Sequence, residues 1–199
     1  MAVKEVKLST IEEALTTPTT AEFNDALKRN RSAFLFRGLP NVSYKLTTSL
    51  RWNCKGKAGE LEPSILRNFS KYAASTSPLN SCWEQMVIGQ HHGLPTRLMD
   101  WTYSPLAALH FATSREDITG MNQHDAVVWA IDITEMNTLL PAKYQKVLND
   151  ERAYLFTIDM LDRVAKDLTT YDNDMGEDGI VLLEPPSIDQ RIINQYSYF

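Results

Sequence analysis

The segment from Gln90 to Leu106 places two histidines, an arginine, an aspartate and a tryptophan in one turn-rich connection between two predicted helices. Ser81 and Glu84 have the spacing of a capping box and predict the start of the first helix. Ser104, followed by a proline, predicts the start of the second helix. Arg97 and Asp100 would then lie just before a helix N-terminus, whose free N–H groups and partial positive charge suit phosphate or carboxylate.

A second arginine lies at the end of a predicted strand. Residues 33–38 are nearly all apolar, which is typical of a strand that is buried on both faces. Arg37, close to the end of this run, needs either solvent or an anionic partner. Two interpretations remain open: an ion pair with a carboxylate such as Asp100, or a bidentate contact to the phosphate or carboxylate of a ligand.

Composition sets the broad class of the protein. The chain has 199 residues, of which 43% are hydrophobic and 23% charged, as expected for one globular domain. A net charge of −5 argues against non-specific nucleic-acid binding through bulk charge, although a local basic groove remains compatible with it. Two cysteines make no disulfide framework, which favours a cytoplasmic setting. No signal peptide or membrane-spanning run is predicted.

The remaining pattern predicts an α+β protein, a single domain with a mixed β-sheet flanked by helices. A helical segment, residues 1–32, would precede the main domain, residues 33–199. Further helices are predicted over residues 9–15, 21–29, 60–73, 151–168 and 187–194, and strands over residues 44–52, 126–133, 179–184 and 195–199. The acidic residues from Asp172 to Asp178 are interpreted as a solvated loop, because the spacing of a calcium loop is absent.

Several kinds of catalytic site have no support in the sequence. A metal site could use His91, His92, Asp100 and His110, but adjacent helical histidines point in different directions, and H-E-x-x-H and C-x-x-C are absent. We therefore assign no metal ligands. Nucleophile-elbow, Walker and Rossmann motifs are also absent. The polar cluster that remains suits an anionic ligand with a ring, and equally suits a buried hydrogen-bond network.

Three segments together resemble the FRG domain, a family named for a Phe-Arg-Gly triplet. They are Phe36-Arg37-Gly38, the run Gln90–Trp101 and the run Ser104–Ala112. The spacing of Arg191, Gln195 and Phe199 is also similar to the family's downstream R-x-x-x-Q-x-G-x-F pattern, with Ser197 where the family usually has glycine. The resemblance implies a bacterial or phage protein and brings no settled biochemical activity.

The order of an arginine at a strand end, a serine before a helix and a terminal strand is also similar to the ADP-ribosyltransferases. That resemblance implies a split β-sheet that binds NAD, in which Arg37 would hold a phosphate and Ser104 would support the nicotinamide ribose. Trp101 or Tyr103 would stack on a ring, although both suit a core or rim position equally well. The family's third element is a glutamate, and the matching register here gives Gln195 and Ser197. Another acid, Asp100 or Glu184, would have to replace it, or the fold binds without catalysing transfer.

The first hypothesis is an ADP-ribosyltransferase-like domain that binds NAD or another small nucleotide-like ligand, as a transferase or NAD glycohydrolase in phage–host conflict. The alternatives are a non-catalytic module for an unidentified macromolecule, either protein or nucleic acid, and a metal-dependent hydrolase. The predicted catalytic residues are Arg37, His91, Asp100, Ser104 and Gln195. The predicted ligand-binding residues are Gly38, His92, Thr96, Arg97, Trp101, Thr102 and Tyr103.

Overall fold

The computed structural model of the protein describes residues 3–16, 23–24, 29–30, 33–73, 81–114, 124–176, 179–186 and 197–199. The helices are α1 (Ile11–Thr16), α2 (Ser49–Cys54), α3 (Ala58–Ala73), α4 (Cys82–His91), α5 (Pro105–Thr113), α6 (Ile133–Thr138), α7 (Ala142–Glu151), α8 (Ile158–Val164) and α9 (Leu168–Met175). The strands are β1 (Phe23–Asn24), β2 (Arg29–Asn30), β3 (Phe34–Leu39), β4 (Trp101–Thr102), β5 (Val127–Asp132) and β6 (Ser197–Tyr198). These elements confirm the α+β class.

The chain forms two compact units, each made of two separate segments. Unit 1 consists of Met1–Tyr44 and Thr102–Asp132, and unit 2 consists of Lys45–Trp101 and Ile133–Phe199. Within the described residues, no helix combines the length and the apolar composition that crossing a membrane requires.

Unit 1 is built around β3. This strand pairs antiparallel with β5 over six residues, from Phe34↔Asp132 to Leu39↔Val127, and with β4 at Phe36↔Thr102. Leu35 and Phe36 are buried, and so are Ala108 and Ala112 of α5, the helix that packs against β3. The strands predicted over residues 33–38 and 126–133 are therefore confirmed, and small alanine side chains let the helix approach the strand closely.

The N-terminal predictions were partly wrong. The helix predicted over residues 9–15 exists as α1, and its capping box starts at Thr10: the Glu13 nitrogen donates to Thr10 Oγ1 at 3.1 Å and the Glu13 carboxylate accepts from the Thr10 nitrogen at 3.2 Å. The helix predicted over residues 21–29 was wrong, because β1 and β2 pair antiparallel there. A helix of nine residues is marginal unless packing supports it, whereas pairing satisfies the backbone directly.

Unit 2 is mainly helical. Buried side chains from α3, α4, α7, α8 and α9 form one hydrophobic cluster, and the Trp83 indole within it donates to the Ala165 carbonyl at 2.8 Å. The helices predicted over residues 60–73 and from Ser81 to His91 are confirmed as α3 and α4. The extended segment predicted over residues 44–52 was wrong in its last part, where α2 begins. Thr48 caps α2 by accepting from the Arg51 nitrogen, and this local bond outweighs the strand propensity of the sequence.

Residues 151–168 were predicted as one helix, but the structure has a break before α8 (Ile158–Val164). Helix α7 ends at Glu151, Arg152 adopts a left-handed conformation with φ 52°, and Thr157 caps the next helix. The backbone between them pairs elsewhere: the Phe156 nitrogen donates to the Leu182 carbonyl at 2.8 Å. Apolar periodicity continued through the break because both helices pack into the same cluster.

The C-terminal segment differs from the prediction in two places. Asp172 and Asp174 lie in α9, capped by Asp167, and not in a solvated loop. The strand predicted over residues 179–184 is reduced to one parallel bridge, Phe156↔Leu183, next to a backbone pair between Leu183 and Phe199. The predicted terminal strand is present as β6. The helix predicted over residues 187–194 lies outside the described residues.

Candidate functional site

The residues predicted to form a site are divided between the two units. Unit 1 contains Arg37, Gly38, Thr102, Tyr103 and Ser104. Unit 2 contains His91, His92, Thr96, Arg97, Asp100 and Trp101. Gln195 lies outside the described residues.

In unit 1, the Phe-Arg-Gly triplet lies against α5. An alanine Cβ at position 38 would overlap the Ala108 carbonyl oxygen and would lie 2.7 Å from the Ala112 nitrogen. The glycine is therefore required because the strand lies directly on the helix backbone, not because of its φ angle. Arg37 pairs in the sheet with Trp129 of β5. The triplet thus fixes the position of the strand on α5 and places the arginine within the sheet.

The start of α5 is organised by two hydroxyl groups. Ser104 Oγ accepts a hydrogen bond from the Ala107 nitrogen at 3.2 Å and serves as the N-cap, as the sequence predicted. Thr102 Oγ1 accepts from the Ser104 nitrogen at 3.0 Å. Because Thr102 pairs with Phe36, these bonds connect the first turn of α5 to the Phe-Arg-Gly strand. Arg37 and the N-terminus of α5 therefore belong to one packed substructure.

In unit 2, Arg97 connects two helices through carboxylates. Its Nε donates to both oxygens of Glu62 in α3, at 2.9 and 3.0 Å, and its Nη1 donates to Asp172 of α9 at 2.5 Å. Nη2 contacts both carboxylates. Burial alone would lower the pKa of Arg97, but the bonds from Glu62 and Asp172 outweigh it and hold the pKa above its ordinary value. The guanidinium donors of this predicted ligand-binding residue are thus already engaged within the protein.

Glu62 is the partner that the sequence analysis missed. It is only 2% exposed, and Leu66, four residues later, is buried beside it. Two apolar side chains of the same helix, Leu61 and Tyr72, are 38% and 82% exposed. The sequence signal for this partner was the spacing of Glu62 and Leu66, which are four residues apart and lie on one face of α3. A carboxylate buried on that face requires a cation or hydrogen-bond donors.

A second network in unit 2 holds the loop that follows α4. Thr96 is almost fully buried; its hydroxyl donates to Gln90 Oε1 and accepts from the Leu98 nitrogen at 3.2 Å. Gln90 Nε2 in turn donates to Asp100 Oδ1 at 3.2 Å. The Thr96 nitrogen donates to Ser49 Oγ at 3.0 Å, which ties the loop to α2. Thr96 therefore organises the loop, and Gln90 orients the exposed Asp100 carboxylate.

The aromatic and histidine residues have separate positions. Trp101 is 9% exposed and contributes to the core, whereas Tyr103 is half-buried. His92 is the C-cap of α4, and its ring is 5.2 Å from that of His91, centroid to centroid, at an angle of 74°. In the part of the chain that the structure describes, no group of three or more His, Cys, Asp or Glu side chains could hold a metal ion. The geometry therefore gives the metal-hydrolase alternative no support there.

Two open clefts lie in unit 2, and neither is lined by the predicted site residues. One, of about 210 Å³, lies beside α6 and α7 and is lined mainly by polar side chains. The other, of about 510 Å³, lies where α2 meets α3 and is lined by Thr47, Arg51, Lys55, Gly56, Ala58 and Gly59.

Comparison with protein-family models finds a match to part of the chain. No curated protein and no solved structure matches the chain. A family model for the FRG domain matches residues 32–119. This range begins just before β3 and includes the Phe-Arg-Gly triplet, helix α5 and the loop that follows α4. The extension of the domain to Phe199 stays a prediction. The geometry of the triplet agrees with the family match, which shows that residues 32–119 are similar to the FRG domain.

Proposed function

We propose that this FRG domain binds an anionic nucleotide-type ligand, with NAD as the first ligand to test, beside the Phe-Arg-Gly strand of unit 1. The observation that carries the proposal is the packing of that strand on α5. The strand contains Arg37, and it pairs with Thr102, two residues before the Ser104 cap of the helix N-terminus. An arginine and a helix N-terminus are two groups that favour phosphate. Tyr103, half-buried between Thr102 and Ser104, supplies an aromatic ring in the same substructure.

Binding without catalysis is the simpler form of this proposal. The register in which ADP-ribosyltransferases have their glutamate contains Gln195 and Ser197 here. Transferase or NAD glycohydrolase activity would require another acid to take the place of that glutamate. A role in phage–host conflict, which the family resemblance implies, belongs to the same proposal.

Thermal unfolding with added NAD, ADP-ribose or ATP tests the proposal directly. A ligand at a hundred times its dissociation constant stabilises by about 2.7 kcal/mol, which for a chain of this size raises Tm by roughly 5–10 °C. We expect a shift with wild type, a smaller shift with Arg37→Lys and none with Arg37→Ala. Arg163→Ala, which removes an exposed arginine of unit 2, is the matched control and should keep the full shift.

Folding of the Arg37 variants is checked by circular dichroism before ligand is added. No shift with any of the three nucleotides in wild type would reject the proposal. A shift that persists in folded Arg37→Ala would place the ligand elsewhere. Where wild type shifts, release of nicotinamide from NAD, with and without Asp100→Asn and Glu184→Gln, separates catalysis from binding.

A non-catalytic module for a macromolecule is the second candidate function. The specific observation in its favour is that Thr96, Arg97 and Ser104, three of the predicted site residues, all serve the architecture of their own units. On this reading Arg37→Ala and Ser104→Ala reduce only stability, and no nucleotide raises Tm. The same unfolding series therefore distinguishes the two candidates.

A further inference from the structure

Residues 45–59 form a basic segment in an acidic protein. The segment contains Lys45, Arg51, Lys55 and Lys57 and no acidic residue. It contributes +4 to a chain of net charge −5, so the rest of the chain carries −9. All four cationic side chains are exposed. Such a concentration of one sign attracts ligands of the opposite sign locally, whatever the net charge.

The four cations of the basic segment differ from other basic side chains of unit 2 in their ion pairing. Other basic side chains of unit 2 form ion pairs: Arg97 with Glu62, Lys143 with Asp174, and Arg163 with Glu151. Among the residues that the structure describes, the four cations of the basic segment form no ion pair. Their charge therefore remains available to an external anion.

The segment forms a concave surface where α2, a 3-10 turn (Lys55–Lys57) and α3 meet. Arg51 and Lys55 are four residues apart and line the same cleft of about 510 Å³. Gly56 and Gly59 also line it, and an added Cβ at either glycine would meet nothing within 4 Å. The backbone is thus open to close approach by a ligand. Glu60, the next acidic residue, is not among the lining residues.

The basic segment also contains an exposed tryptophan. Trp52 of α2 is 74% exposed, although indole is among the side chains that gain most from burial. It lies in the last turn of α2, between Arg51 and Lys55 in the sequence. An exposed aromatic ring among cations is the arrangement on which single-stranded nucleic acids stack their bases.

We propose that the α2–α3 surface, formed by the cleft that Arg51 and Lys55 line together with Trp52 and Lys57 of the same segment, binds a short stretch of single-stranded nucleic acid. The cations contact phosphates and Trp52 stacks on a base. An anionic membrane fits less well, because membrane docking uses a protruding apolar face with several anchors, and this surface is a cleft with one aromatic side chain. The acidic remainder of the chain limits the contact to a few phosphates.

Fluorescence anisotropy of labelled 12-nucleotide oligo(U) and oligo(dT) with the full chain tests this inference. With three or four cations in contact, the slope of log K against log salt should be about −2 to −3. Lys55→Gln/Lys57→Gln should weaken binding about tenfold or more at low salt and make the slope shallower by about 1.4. Trp52→Ala should weaken binding at least fivefold, and Trp52→Phe should restore part of it.

Lys4→Gln/Lys7→Gln is the matched control, since it removes the same charge from exposed positions of unit 1. Binding that falls equally in this control, or that no variant of the α2–α3 surface alters, would overturn the inference. So would the absence of binding by wild type at 50 mM salt. Tighter binding to phosphatidylserine vesicles than to either oligonucleotide, or to polyglutamate as tightly as to oligo(U), would assign the surface to another partner. Binding of RNA or of DNA alone supports it and identifies the sugar that is preferred.

The inference does not depend on the nucleotide proposal, and the two can fail separately. Arg37→Ala should leave oligonucleotide binding unchanged, because Arg37 is not part of the α2–α3 surface. Lys55→Gln/Lys57→Gln should leave any NAD-dependent rise in Tm unchanged. A single variant that abolishes both effects, with folding intact, would show that NAD and the oligonucleotide bind at the same site.

Discussion

At the scale of single residues, Arg97 shows why residue type alone does not identify a ligand site. An arginine beside an aspartate in a turn-rich loop suits a phosphate ligand, and it suits a buried ion pair equally well. The structure gives Arg97 two carboxylate partners, one buried and one exposed. The buried partner determines the energetics, because a charge removed from water needs its counter-charge far more than an exposed charge does.

Removal of Arg97 should therefore cost far more than removal of its exposed partner. Arg97→Ala leaves the Glu62 carboxylate buried without its cation, and we expect a loss of about 3 kcal/mol or more in the free energy of unfolding. Asp172→Asn, at a side chain that is 56% exposed, should cost at most about 1 kcal/mol. Urea unfolding of both variants makes the comparison. Equal costs would mean that the Glu62 contact is not the dominant interaction.

Cys82 offers a test of burial at a single thiol. Burial, aided by the negative charge of Asp162, raises the pKa of Cys82 to about 11. With Cys54 replaced by serine, alkylation at pH 8 should be roughly a hundredfold slower than for an ordinary cysteine of pKa about 8.5, because the thiolate is the reacting form. The rate should rise with pH to a midpoint near 11. Asp162→Asn should lower that midpoint. A midpoint close to that of free cysteine would contradict the assignment.

At the scale of secondary-structure elements, the sequence predicted best where the signal was local. The caps at Ser81 and Ser104 marked the starts of α4 and α5, and the apolar run of β3 marked a buried strand. The break before α8 could not be predicted, because the apolar periodicity begins ahead of it and the chain there pairs Phe156 with the Leu182 segment. Such non-local pairing leaves no mark at the break itself.

The same distinction applies to the candidate site. The Phe-Arg-Gly triplet and the Ser104 cap were recognisable from the sequence, because each depends on neighbouring residues. The partners of Arg97 were not, since Glu62 and Asp172 lie 35 and 75 residues away from it along the chain. The basic segment was visible as lysines, but its significance depends on the cleft and on the exposure of Trp52, which only the fold provides.

The contact between β3 and α5 can be tested through its glycine. Gly38→Ala would push a methyl group into the α5 backbone, so we expect a loss of about 3 kcal/mol or more, at or beyond the upper end of typical overpacking costs. Gly59→Ala, in the first turn of α3, meets open space and should stabilise by about 0.5–1 kcal/mol. Thermal unfolding of both variants separates steric overlap from glycine flexibility. A Gly38→Ala protein as stable as wild type would show that β3 can move away from α5.

At the scale of the whole molecule, stability at alkaline pH depends on groups whose protonated forms the fold stabilises. Burial raises the pKa of Tyr144, and so does the hydrogen bond that its hydroxyl donates to Asp174 at 2.9 Å. Burial also raises the pKa of Tyr171 and of Cys82. All three belong to unit 2 and pack in or against its hydrophobic cluster. In each case the folded protein keeps its proton at a pH where the unfolded chain has lost it.

This difference predicts the direction in which the free energy of unfolding changes at alkaline pH. Between the unfolded and folded pKa values the native state binds more protons than the unfolded state, so stability must fall as pH rises. The contribution of these groups is complete below about pH 8 and should decline from about pH 9 upward, first through Cys82 and then through the tyrosines. We expect urea midpoints that fall steadily between pH 9 and 11. Tyr144→Phe, which cannot ionise, should be less stable at pH 7 through loss of one hydrogen bond, but its midpoint should fall less steeply with pH. An equally steep decline in this variant would mean that Tyr144 is not among the groups responsible.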